Sequence, residues 1–244
     1  MKHITKILSL LLALTMLLCF PVAVSAAELE DAPIDESRTG SLTIYKYDLT
    51  NAEKDGVWDS SYVSTGVFDQ TGVNDVLGGG SSTLGNGETG YGYAIKGVEF
   101  SYVQVADIVQ FSESENDSRT DSHVEILYAI DKTKGADFLK ALGLENGLNR
   151  YTNADQLDST KYYYQSDVLI DALAAALESN STVVKNALEA YISANGGAAM
   201  PLTDSYGKTK AENLNLGLYL VVETKVPEMV VSTTDPFLVS VPMT

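Results

Sequence analysis

A mainly β sandwich carrying a helical insertion is the fold class this 244-residue sequence predicts. Three observations predict it. Alternating apolar and polar residues recur towards both ends of the chain, as SLTIYKYD at 41–48 and LGLYLVVETKVP at 216–227. A long β-rich run, IKGVEFSYVQVADIVQF, fills 95–111. One late stretch, SDVLIDALAAALESNSTVVKNALEAYISANGG at 166–197, repeats its apolar residues at helical spacing instead.

The chain opens with MKHITKILSLLLALTMLLCFPVAVSAAELE. Lys2 and Lys6 precede an apolar run from Ile7 to Phe20 and the small residues Val24, Ser25 and Ala26, the pattern of a secretory signal peptide over 1–26, cut after Ala26. The run is short for a membrane span and ends at Pro21, and Leu17 and Leu18 before Cys19 do not suit lipid attachment. Cleavage leaves 218 residues and removes the single cysteine. An exported chain without cysteine has no disulfide, thioester or thiol nucleophile, a usage that fits Gram-positive surface proteins. The two signal-peptide lysines also leave, so the charge goes from −17 to −19. That balance argues against nucleic acid and anionic membrane as partners.

Residues 27–40, AELEDAPIDESRTG, read as an acidic leader, and order is expected from Ser41. In the first strand Leu42, Ile44 and Lys46 share one face, and Thr43, Tyr45 and Tyr47 the other. Between Asn51 and Tyr93 glycine and serine clusters such as GGGSSTLGNGETGYG read as loop, lacking the lysine of a phosphate-cradling turn. After the β-rich run, ESENDSRTDS at 113–122 reads as a solvated acidic loop without the spacing of a calcium loop, and HVEILYAID at 123–131 as another strand. DFLKALGL at 137–144 reads as a short helix stopped by Gly143. The helical insertion at about 166–196 reads as a pair: Leu169, Leu173 and Leu177 stripe its first part, and Val184, Leu188 and Ile192 its second. Such stripes are core contacts before they are binding grooves. The close, LGLYLVVETKVP and then PFLVSVPMT, is β again, with Pro227, Pro236 and Pro242 placed for strand ends and edges.

Little in the sequence points to chemistry on outside substrates. His123 is the one histidine left after cleavage, no GxSxG turn is present, and neither a metal site nor a cofactor is predicted. The internal arrangement says more. Glu223 falls in the middle of an apolar strand, in line with Tyr219 and Val221, while Leu218, Leu220 and Val222 make the other face. A carboxylate buried there without a partner costs several kcal/mol, on the order of a domain's whole margin of stability. Lys46, equally out of place among Leu42 and Ile44, is the cation that would meet it if both faces enter one core. A buried or half-buried ion pair explains both residues as they stand.

GSLTIYKYD at 40–48, together with Gly217, Tyr219, Val221, Glu223 and Pro227, resembles the first-strand lysine and the E-box of Gram-positive pilin backbone subunits. The E-box pattern is roughly G-x-Y-x-L-x-E-x-x-A-P; here Val221 replaces the leucine and Val226 the alanine. DPFLVSVPMT is similar to the closing strand of the amino-terminal domain in fimbrial shaft proteins. The resemblance implies an Ig-like, collagen-adhesin B-type sandwich over 41–244. It also implies a structural subunit of a sortase-assembled pilus on the cell surface, with other pilin subunits and a pilus sortase as partners. In that family a lysine amine attacks an asparagine carboxamide, ammonia leaves, and a nearby acid assists. A neutral amine and a protonated acid are needed, and an apolar core favours both. Lys46 and Glu223 match the lysine and the acid. No acceptor asparagine is identified: counting by twos from Phe237 runs through Val239, Val241 and Met243 to the end of the chain, and Asn213 and Asn215 precede the E-box.

Two departures shape the expectation. The only tryptophan, Trp58, sits in DGVWDSSYV without the W-x-x-x-V-x-V-Y-P-K lysine, and no LPxTG signal with apolar tail is found. The expectation is therefore an amino-terminal fragment of a shaft subunit. The competing expectation is an adhesin module taking a host glycan or matrix protein on the loops at 69–92 and 112–122, with a secreted hydrolase third.

Overall fold

A computed structural model of the chain describes residues 34–35, 37–56, 82–83, 89–112, 124–152, 157–228 and 233–242. The signal peptide, most of the leader, Trp58, His123 and most of the two loops proposed for adhesion lie outside the described residues. The chain divides into two compact units, Met1–Ile34 with Gln110–Glu125 and Asp35–Val109 with Ile126–Thr244. In the first, the Ile34 N–H donates to Gln110 Oε1 at 2.6 Å and the Ile34 carbonyl accepts from Gln110 Nε2 at 2.8 Å. Lys46, Glu223 and Thr234 lie in the second.

The elements of the chain in order are β1 (Gly40–Tyr45), α1 (Leu49–Lys54), β2 (Ser82–Thr83), β3 (Thr89–Gly90), β4 (Glu99–Ser112) and β5 (Val124–Asp131). There follow α2 (Ala136–Ala141), a single 3-10 turn at Glu145–Gly147, β6 (Lys161–Tyr164), α3 (Ser166–Ala194), β7 (Ala198–Ala199), β8 (Lys208–Leu214), β9 (Gly217–Lys225) and β10 (Phe237–Val241). Among the described residues β10-β9-β4-β5-β6 form the main sheet, with β7 paired to β4, and β1 pairs with β8 in a separate ribbon. The strand pairs with a described register are antiparallel.

The ribbon closes a core against the main sheet. Leu42 of β1 and Ala211 and Leu214 of β8 pack with Phe100 of β4, Tyr219 and Val221 of β9 and Val241 of β10. The chain is thus a mainly β protein whose two layers share one core, the sandwich the alternating segments predict. On β9 the opposite set, Leu218, Leu220 and Val222, is also buried. That face lies on the side of α3, whose buried residues are Leu169, Leu173, Val184, Leu188, Tyr191 and Ile192. A strand covered on both faces reads as a continuous apolar run, which is why β9 does.

The helical insertion is one element broken at Asn180, where φ −158° and ψ 74° leave the helical region. The expected pair of helices meets there. No helix among the described residues is long and apolar enough to cross a membrane.

Three expectations need correction. The segment read as loop from Asn51 begins inside α1, because the Asp48 side chain caps that helix by accepting the Asn51 N–H at 3.0 Å. β6 is a strand the sequence reading did not assign, its KYYY run lacking polar alternation. β8 was also missed: its inward residues are Thr209, Ala211 and Leu214, and a bulge at Asn213 (φ 57°) breaks the two-residue period before the last of them.

Candidate functional site

Lys46 and Glu223 meet. In β1 the Leu42 and Ile44 side chains enter the shared core, and Lys46 continues the same face one step past the strand. Its backbone is held on both sides: the Lys46 N–H donates to the Gly207 carbonyl at 2.8 Å, and its carbonyl accepts from the Ile95 N–H at 3.0 Å. Gly207 has φ 72°, and a Cβ there would stand 2.3 Å from the Lys46 carbonyl oxygen, so only glycine lets the two chains approach this closely.

Glu223 arrives from the other sheet by the same logic. Tyr219 and Val221 lie in the core and Glu223 is the next residue on their face, opposite Phe100 across the β4–β9 ladder. Lys46 Nζ lies 2.8 Å from Glu223 Oε2; the carboxylate side chain has no exposed surface and the lysine retains 13 %. The two apolar faces converge, and the charge at the end of each is the other's partner.

A third residue, which the sequence reading did not single out, completes the group. Thr234, just before β10, accepts a hydrogen bond from Lys46 Nζ on its hydroxyl, and its backbone N–H donates to Glu223 Oε2 at 3.1 Å. Oε2 therefore takes two donors. Oε1 is buried with no hydrogen-bond partner among the described residues. The sequence signal for Thr234 is its place just ahead of the closing strand, upstream of the register that starts at Phe237.

The other residues of the E-box-like pattern make structural contacts of their own. A Cβ on Gly217 would stand 2.4 Å from the Ala106 carbonyl and 2.5 Å from Gln104 Nε2, at the β4 bulge between Gln104 and Ala106. Gln104 Nε2 in turn donates to the Leu216 carbonyl at 3.2 Å. Tyr219 sends its hydroxyl to the Asn215 carbonyl at 2.8 Å, fixing the turn between β8 and β9. Burial pushes that hydroxyl up to about 12, with the Tyr102 phenol adding to the shift. Val221 is fully buried, and Val226, ahead of Pro227, packs against the same core.

Neither asparagine weighed as an acceptor reaches the pair. Asn213 and Asn215 are exposed, and Asn213 lies at the opposite end of β8 from Lys208, the residue paired with Tyr45. Five residue steps along the strand separate Lys208 from Asn213, about 17 Å, well beyond a lysine side chain. Among the described residues no group of three or more histidine, cysteine or acidic side chains is placed to hold a metal ion.

No protein-family model matches this chain, and no curated protein matches it. Solved structures similar to it include pilins. The full-length major pilin SpaD from Corynebacterium diphtheriae aligns at 19% identity with a TM-score of 0.34, over 87% of this chain and 29% of that one. The full-length RrgB pilus protein from Streptococcus pneumoniae aligns at 16% identity and a TM-score of 0.21, over 60% of this chain and 22% of that one. A pilus backbone structure of RrgB gives the same identity and TM-score over 31% of its length. The chain thus spans less than a third of each of these proteins. Superpositions this loose leave the chain's own geometry to carry the functional reading.

Proposed function

We propose that the chain is a structural module of the shaft type in a sortase-assembled surface pilus, working beside other pilin subunits and not as an enzyme on outside substrates. The observation that carries this reading is the Lys46–Glu223 pair, which joins the end of β1 to β9 inside an apolar core. Its carboxylate has no exposed surface, so an external substrate cannot reach it. The amine and acid instead tie the protein's own strands together, and the Gly217 and Tyr219 contacts give the E-box-like pattern physical reasons.

Export and wall attachment follow from the same reading. Cell-wall extracts of the producing bacterium, boiled in SDS and probed with antibodies to the purified chain, should give a ladder of covalent multimers. A single band at the size of one subunit, in wall and medium alike, would count against a shaft role.

A further inference from the structure

We infer that Thr234 is the third member of the buried site, and that among the described residues the site closes with hydrogen bonds that clamp β10, with no covalent crosslink to Lys46. The clamp does not depend on the pilus assignment. It follows from what surrounds the Lys46 amine.

A lysine amine forms an amide only by attacking a carbonyl carbon, with ammonia leaving a carboxamide or water leaving a carboxyl group. The side chain that β10's approach segment presents to Lys46 is a threonine hydroxyl, which has no carbonyl carbon. The next residue, Asp235, is turned elsewhere: its Oδ1 lies 2.7 Å from Lys185 Nζ of α3, and its side chain is 62% exposed. Asn213 stands at the far end of β8. Glu223 does touch the amine, but its Oε2 is held by two donors, Lys46 Nζ and the Thr234 N–H, as a hydrogen-bonded carboxylate is held.

What the group does instead is mechanical. Lys46 follows β1, Glu223 belongs to β9 and Thr234 leads into β10, so one set of contacts ties three strands at one point. β10 is a short edge strand, paired over Phe237–Val241 with β9 as its one hydrogen-bonded neighbour among the described residues. An edge strand of that length frays easily unless its entry is fixed. The Thr234 contacts fix it from the core, and the Lys185–Asp235 pair fixes the adjoining residue from α3.

Intact-mass measurement of the purified chain under denaturing conditions should return the full mass of its polypeptide. A deficit of about 17 Da, for lost ammonia, or about 18 Da, for lost water, overturns the inference. The clamp itself is tested by an unfolding cycle with Thr234→Val and Lys46→Met. Their effects on the unfolding constant should be coupled by about tenfold, and Thr234→Ser should restore most of the loss. Hydrogen exchange at the β10 amides should also quicken in Thr234→Val ahead of the β4 amides. Additive effects, or a Thr234→Ser variant no better than Thr234→Val, would sink the clamp; the mass measurement decides the crosslink even where a variant fails to fold.

Discussion

Replacing Lys46 with methionine keeps the stem and removes the charge, leaving the Glu223 carboxylate inside the core. Oε2 would retain only the Thr234 N–H, and Oε1 already has no partner among the described residues. With no exposed surface on that side chain, water cannot take the amine's place without opening the sheet. Removing one partner of a buried pair typically costs about 3 to 5 kcal/mol, and Lys46→Met should fall in that range. Glu223→Leu should cost less, about 2 kcal/mol, because Lys46 is 13 % exposed and its long stem can carry the amine outwards. The double variant replaces the pair by apolar side chains of similar size and should lie within about 1 kcal/mol of the parent. Urea unfolding of the four proteins would then show a coupling of about 4 to 7 kcal/mol. It should survive about 1 M salt, where a Debye length of about 3 Å silences exposed pairs. Single losses below about 1 kcal/mol that simply add would refute the reasoning and make Glu223 a tolerated acid.

Other consequences are open to measurement. Burial first, then the neighbouring phenol of Tyr162 or Tyr102, pushes the hydroxyls of Tyr164 and Tyr219 up to about 12. A folded value raised above the unfolded one means the stability these groups contribute is fully present below about pH 10 and is lost as pH rises towards 12. Tyrosinate absorbance should therefore show part of the fourteen tyrosines ionising late, together with unfolding, and uniform ionisation near pH 10 in a folded chain would contradict this. Gly217→Ala should lower stability by about 1 to 3 kcal/mol, since its Cβ meets the Ala106 carbonyl at 2.4 Å; an unchanged thermal midpoint would show that the bulge can yield. Tyr219→Phe should cost about 1 kcal/mol in urea unfolding by leaving the Asn215 carbonyl without that donor.

The parts of this fold that could be read in the sequence are those where burial has a period. Leu42 and Ile44 alternate, β9 is apolar on both faces, and α3 carries helical stripes, so their types and partners follow from the spacing. Lys46 and Glu223 were legible for the opposite reason, each being a charge where the period demands an apolar residue. The strands that escaped had weak or broken periods: β8 buries a threonine and an alanine and then slips at Asn213, and β6 has no alternation at all. Thr234 escaped because its role is set by a contact 188 residues away along the chain. A threonine ahead of a proline and a strand looks like any other loop residue until Lys46 is brought to it.

The most direct test is an NMR measurement on the folded chain in solution. Lys46 side-chain N–H protons should be visible through slowed exchange with water, with an Overhauser contact to the Thr234 methyl group, and both signals should vanish in Glu223→Leu. Lys46 protons that exchange as fast as those of exposed lysines, with no contact to Thr234, would mean that the amine does not sit between β9 and β10.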